Sequence, residues 1–147
     1  KLAIVGWSYG GYAALQSAVL HPQLFKAIVA VAPVVDLPKL KTDAMAFTNG
    51  AIVARFVGEG SHLKEGSPAQ NAEKITAPVL MFSGDRDLNV DVSQARLMKS
   101  RLESAGKQVT YVEFPDLDHQ IFDAAARTRM LTESDAFIRK ALGMPAN

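Results

Sequence analysis

The chain has 147 residues, 48% hydrophobic and 21% charged, with a formal net charge of +1 and no cysteine. That is about one domain with enough apolar material for a core, and its charge gives no electrostatic case for a nucleic acid or an anionic membrane surface. No apolar run reaches the ~18 residues of a membrane span; without Cys there are no disulfides or thiolate metal sites, which agrees with a cytoplasm and with an exported protein alike.

In chain order, Leu2–Val5 is a short continuous apolar run and reads as a strand buried on both faces. Tyr9–Leu20 reads as a helix stopped at His21-Pro22, and Ala27–Val31 as a second buried strand closed by Pro33. From about residue 36 to 71 the pattern is irregular, with one helical piece near Asp43–Val57. Its Phe47, Ile52, Val53 and Phe56 suggest an excursion packed over the core. Val79–Phe82 is a third strand, entered through Pro78. Val92, Ala95, Met98, Leu102 and Ala105 then recur at helical spacing, and Gly106 suits a left-handed stop. Gln108–Phe114 is a fourth strand and Ile121–Leu142 a closing helix, followed by Gly143 and Pro145. Repeated βα units with right-handed crossovers predict an α/β fold, a mainly parallel sheet of about four strands covered by helices.

The stretch AIVGWSYGGYAAL, Ala3 to Leu15, places G-x-S-x-G between a predicted strand and a predicted helix. That context gives the motif its meaning: a sharp strand-to-helix turn strains the serine backbone and holds its hydroxyl out at the carboxyl edge of the sheet. Bulky residues two positions either side would collide, which Gly6 and Gly10 avoid. The Tyr9 N–H, opening the helix, points towards a developing oxyanion.

A serine nucleophile needs a base, and the base an orienting carboxylate. Of the three histidines, His21 reads as a surface cap and His62 as a solvated loop residue. His119, in FPDLDHQIF, follows the fourth strand at the same sheet edge as Ser8. After the third strand, SGDRDLNV offers Asp85, which can bond its own turn, and Asp87. Asp116 and Asp118 stand too near His119 along the chain, while Asp91 and Ser93 read as helix caps. The resulting order, Ser8, Asp87, His119, is that of α/β-hydrolases. Scattered histidines give no metal cluster, and GDRDLNVD lacks the glycine and terminal Glu of an EF-hand loop.

With GWSYGGY at the serine, VAP after the second strand, SPAQNAEKITAPVLMFSGDRDLNV leading to the acid and FPDLDHQI at the histidine, the chain resembles the prolyl oligopeptidase family of serine peptidases from Lys1 to about Leu142. The resemblance implies Ser8 as nucleophile, Asp87 rather than Asp85 as acid, His119 as base, and no metal or organic cofactor. It also implies that Val34, Asn89 and Val90 line the substrate pocket, whose two apolar walls suit a small or proline-like side chain. The expected reaction is hydrolysis of short peptides through an acyl-enzyme, with ester hydrolysis on the same scaffold as the alternative.

Two departures stand out: FSG replaces a common His-Gly before the acid loop, and Gln120 replaces a common glycine after the histidine. The family's hydrolase domain also has strands and helices before the nucleophile strand, and usually a propeller before those. The chain opens at Lys1 with no methionine, directly before a strand. It is therefore expected to be the carboxyl-terminal portion of an α/β-hydrolase catalytic domain over residues 1–147, without the loop that supplies the second oxyanion donor. Loss of such a donor costs on the order of 10²–10³ in turnover. A catalytically incomplete, structural or self-associating module is the reading from another class. In either case the strand at Leu2–Val5 becomes an open apolar edge, expected to pair with a second copy or with the missing amino-terminal half.

Overall fold

The computed structural model describes residues 1–145. β-Branched and small apolar residues form four parallel strands, β1 (Ala3–Trp7), β2 (Ala27–Val31), β3 (Val79–Gly84) and β4 (Val109–Phe114), side by side in chain order. Parallel strands require crossovers, and a helix occupies each long connection. α1 (Tyr9–Leu20) joins β1 to β2, α5 (Ser93–Ser104) joins β3 to β4, and α6 (Ala124–Leu142) follows β4. The fold is α/β, as the sequence pattern indicates.

The period-2 alternation of the strands divides the core in two. Ile28, Ala30, Val79 and Met81 pack with Leu15, Ala18, Met98 and Leu102 of α1 and α5. Val29, Val31, Leu80 and Phe82 face the other way, against Ala126 and Met130 of α6 and against Ile121. β2 and β3 are buried throughout, which is why they read as unbroken apolar runs. β1 corrects the sequence reading: among the described residues it pairs only with β2, is half-buried, and leaves Val5 59% exposed.

Residues 32–78 hold a run of short helices: α2 (Leu37–Ala44), α3 (Gly50–Val57), α4 (His62–Glu65) and a 3₁₀ segment, Pro68–Lys74. The single helical piece expected at Asp43–Val57 is in fact two. Asp36 starts the first by accepting from Lys39 N at 2.8 Å, with Pro38 in the first turn. The chain then turns so tightly that a Cβ on Gly50 would lie 2.4 Å from Ala44 O. The excursion also fails to bury the residues expected to pack it, since Phe47, Ile52 and Phe56 are all exposed.

The closing helix begins three residues later than its apolar pattern suggests. Asp123 caps it by accepting from Ala126 N at 2.7 Å, while Ile121, in a turn at φ 49°, belongs to the core. Gly106 and Gly143, both at φ 68°, end α5 and α6 in the left-handed conformation.

On the outer edge, Arg96 of α5 grips Glu113 of β4 through Nε at 2.9 Å and Nη2 at 2.6 Å, and Tyr111 Oη donates to the same carboxylate at 2.9 Å. The Arg96 bonds, ahead of the Tyr111 bond, hold the Glu113 carboxyl below its ordinary value of 4.5, against a smaller opposing effect of burial. A lowered carboxyl contributes stability above its unfolded pKa and loses it as pH falls through the folded one. Glu113→Gln should therefore flatten the loss of thermal stability as pH drops below 4.5. Superimposable acid profiles of melting temperature for the two proteins would contradict this.

Candidate active site

Between the last residue of β1 and the first of α1 stands one residue, Ser8, at φ 57° and ψ −119°. Such a backbone costs on the order of 1–3 kcal/mol and persists only where its surroundings fix it. Here Ser8 N donates to Val31 O at 2.7 Å and Ser8 O accepts from Tyr12 N at 3.0 Å. The glycines act differently from the symmetric expectation. A Cβ on Gly6 would stand 1.9 Å from Gly10 O, so Gly6 is required. A Cβ on Gly10 would meet nothing within 4 Å; what matters there is the path of its backbone. The second close approach is at Gly11, where a Cβ would stand 3.0 Å from Pro33 Cβ and 3.1 Å from Val31 O.

Asp87 stands in the loop after β3, nearly fully buried. Its Oδ1 accepts from Asn89 N at 2.8 Å and Val90 N at 2.9 Å, which leaves Oδ2 aimed at His119 Nδ1, 2.7 Å away. The other nitrogen, His119 Nε2, lies 2.9 Å from Ser8 Oγ. A carboxylate accepts, so Nδ1 carries the proton and Nε2 presents its lone pair to the hydroxyl. The structure thus brings Ser8, His119 and Asp87 into one hydrogen-bonded line, the arrangement of nucleophile, base and orienting acid.

The competing acids are engaged elsewhere. Asp85 Oδ1 accepts from Asp116 N at 2.7 Å, tying the acid loop to the histidine loop rather than closing its own turn. Asp116 pairs with Arg86, and Asp118 Oδ1 accepts from Gln120 N at 2.9 Å and Ile121 N at 3.1 Å. Neither Asp91 nor Ser93 is the cap of α5: Val92 holds that position, Ser93 is the first helical residue, and Asp91 Oδ1 accepts from Ser93 N at 2.9 Å just before it. His21 ends α1 at the surface, and exposed His62 lies in α4, its Nε2 2.7 Å from Val57 O. Tyr9 opens α1, where first-turn N–H groups have no intrahelical acceptor.

Two clefts flank this line. An apolar one of about 390 Å³ is lined by Tyr9, Tyr12, Val34, Leu37, Ile52 and Phe56 among others. A more polar one of about 590 Å³ has Asn89 and Val90 on one wall and Asp43, Phe47 and Asn49 on the other. Val34 therefore lines a different cleft from Asn89 and Val90, with Leu40 and Val53 shared between the two. Burial pushes the Tyr12 phenol above its usual range, with Tyr9 adding to the effect.

Sequence reasoning passed over two supports. Trp7 Nε1 donates to His119 O at 3.2 Å. Buried Gln94 accepts through Oε1 from Val35 N and Asp36 N, both at 3.0 Å, and so anchors the segment carrying Val34. An amide set between Val92 and Ala95 of the apolar stripe was the available signal for Gln94.

Residues 1–145 match the sequence model of the prolyl oligopeptidase family. Among curated proteins, the dipeptidyl peptidase 4 of Felis catus is 25% identical over 99% of this chain and 19% of its own length. The dipeptidyl aminopeptidase BIII of Pseudoxanthomonas mexicana is 26% identical over 97% of this chain and 22% of its own. The chain thus spans about a fifth of the length of these relatives. Among solved structures, a puromycin-hydrolyzing peptidase of Mycobacterium tuberculosis superimposes with a TM-score of 0.86 at 26% identity, over 99% of this chain and 22% of that one. The dipeptidyl peptidase 4 of Porphyromonas gingivalis gives 0.80 at 29% identity, over 94% and 19%.

The asymmetry of the serine turn is directly testable. Gly6→Ala should destabilise the chain by about 3 kcal/mol or prevent folding, because backbone must move to admit the methyl. Gly10→Ala should be neutral or stabilising by up to about 1 kcal/mol, as Ala replaces Gly within a helix. Urea unfolding of both variants decides, and equal effects would contradict the geometry.

Proposed function

Since the chain belongs to the prolyl oligopeptidase family, we propose that it carries the complete nucleophile–base–acid set of a serine peptidase, with Ser8, His119 and Asp87 in those roles. The single observation behind this reading is the continuous line from Ser8 Oγ to His119 Nε2 at 2.9 Å and from Nδ1 to Asp87 Oδ2 at 2.7 Å. Ser8 Oγ attacks the carbonyl carbon of the scissile bond while His119 Nε2 takes its proton. The Tyr9 N–H donates to the oxyanion of the tetrahedral intermediate. His119 returns the proton to the leaving amine, and a water then releases the acyl group from Ser8 by the same route. Asp87 holds the imidazole in the required tautomer throughout.

The substrate class is short peptides, as the names of the dipeptidyl peptidase relatives suggest. Val34 in the apolar cleft favours a small or proline-like side chain before the cut bond. Asn89 and Val90, on the wall of the neighbouring cleft, are proposed to complete the pocket for that same residue. The same machinery cleaves esters, so a panel of peptide and ester substrates separates peptidase from carboxylesterase.

The first test is a fluorophosphonate probe on the folded chain, with the modified residue read by mass spectrometry. Labelling at Ser8 is expected, absent in Ser8→Ala, abolished in His119→Ala and slowed by on the order of 10⁴ in Asp87→Asn, whose amide favours the wrong imidazole tautomer. A folded chain without a Ser8 adduct would leave only the structural-module reading. We further propose that the 147-residue chain self-associates through the open edge of β1, where Leu2 and Val5 are 52% and 59% exposed. Light scattering at micromolar concentration should show dimers or larger species, and a monodisperse monomer would contradict it.

A further inference from the structure

Resting on the triad reading above, the geometry points to Arg127 as a positioning residue that fixes the loop presenting His119. Arg127 lies in the first turn of α6, where a cation opposes the helix dipole and a good helix design would place an acid. Its guanidinium has turned back to the preceding loop. Nε donates to Ile121 O and Nη2 to Gln120 O, both at 2.9 Å, while the guanidinium carbon sits 5.1 Å above the Phe122 ring.

These two bonds complete a set. His119 O is held by Trp7 Nε1, and the N–H groups of Gln120 and Ile121 are held by Asp118 Oδ1. With Arg127 on the two remaining carbonyls, three side chains reach five successive backbone polar groups after the His119 Cα. Ile121 O also accepts from Asp123 N at 2.8 Å, so Gln120 O is the group that depends on Arg127 most. The turn they hold is strained: Ile121, a β-branched residue, stands at φ 49° with its side chain fully buried. The positive φ falls on Ile121 and not on Gln120, so Gln120 fits here despite replacing a common glycine.

Arg127 supplies what a lysine cannot, two donors in one rigid fork that span adjacent carbonyls. Released from it, the turn relaxes towards an ordinary backbone and takes the imidazole out of line with Ser8 Oγ. Displacements of this kind reduce the rate of the chemical step while leaving substrate binding alone.

The test uses the 147-residue chain with three readouts: saturation kinetics of Ser8 phosphonylation, the low-field proton resonance of His119 Nδ1–H, and the melting temperature. Arg127→Met should stay folded and lower the maximal labelling rate roughly tenfold to a hundredfold, with the half-saturating probe concentration unchanged and the low-field resonance broadened or lost. Arg127→Lys, reaching one carbonyl only, should fall between. A wild-type rate and resonance in Arg127→Met would overturn the assignment, as would a rate loss arising wholly from weaker probe binding. Should Arg127→Met not fold, Arg127→Lys decides, and wild-type values there overturn it. If the wild-type chain takes no label at all, the peptidase reading fails, and the resonance alone then decides the role of Arg127.

Discussion

The passage of Gly6 beneath the carbonyl of Gly10 is the contact on which the site depends. The strand must end, reverse its hydrogen bonding and enter a helix within one residue, and this brings two backbones closer than any Cβ allows. Ser8 absorbs the cost in its own φ and ψ, and the bonds from Ser8 N to Val31 O and from Tyr12 N to Ser8 O keep it from relaxing. The same turn starts α1 directly at Tyr9, so the hydroxyl and the first free N–H of a helix emerge side by side. Position and electrostatics thus come from one steric fact.

Sheet order sets the second problem. Ser8 follows β1, Asp87 follows β3 and His119 follows β4, and in the order β1-β2-β3-β4 the outer strands are three spacings apart, roughly 14 Å. No side chain covers that distance, so the histidine loop must travel back across the strand ends. A chain of anchors marks its path. Asp85 N bonds Phe114 O, Arg86 N bonds Leu117 O, and Gly84 passes so close that a Cβ would stand 2.1 Å from Leu117 O. The Asp85 carboxylate takes Asp116 N, and Trp7, at the end of β1 itself, receives the loop by donating to His119 O. The loop is thereby fixed at its departure by β3 and at its arrival by β1.

The legible parts of this molecule are those whose cause is local. A glycine-bracketed serine between an apolar run and an Ala/Leu helix announces its turn, and the strands buried on both faces announce themselves by unbroken hydrophobicity. Ser8 was accessible because it directly follows a strand, and His119 and the acid loop because they lie in the loops after β4 and β3, where a parallel sheet gathers its loops. Asp87 rather than Asp85 came from the family resemblance. Gly11 was not accessible, because what it avoids is Pro33, a residue from another element. Asp85 was misread for the same reason: its partner is Asp116, thirty-one positions away. The break between α2 and α3 had local signals in Asp36, Pro38 and Gly50, but an apolar pattern running through Phe47 to Phe56 masked them.

The exposure of that same pattern separates two tasks within one chain. Ser8, His119 and Asp87 stand on the sheet, α1 and the loops fixed by backbone bonds, while the clefts beside them are walled by α2 and α3. Those helices pack on each other and are tied in at few points, among them Leu37 N to Ser67 Oγ and the buried amide of Gln94. Little of the core rests on Ile52 or Phe56, whose side chains face the cleft and solvent instead. Substitution there changes the shape and polarity of the wall without touching the hydrogen bonds that align Ser8, His119 and Asp87. Ser8, His119 and Asp87 are therefore held by constraints that tolerate almost no change, and the walls of the clefts beside them by constraints that tolerate a great deal.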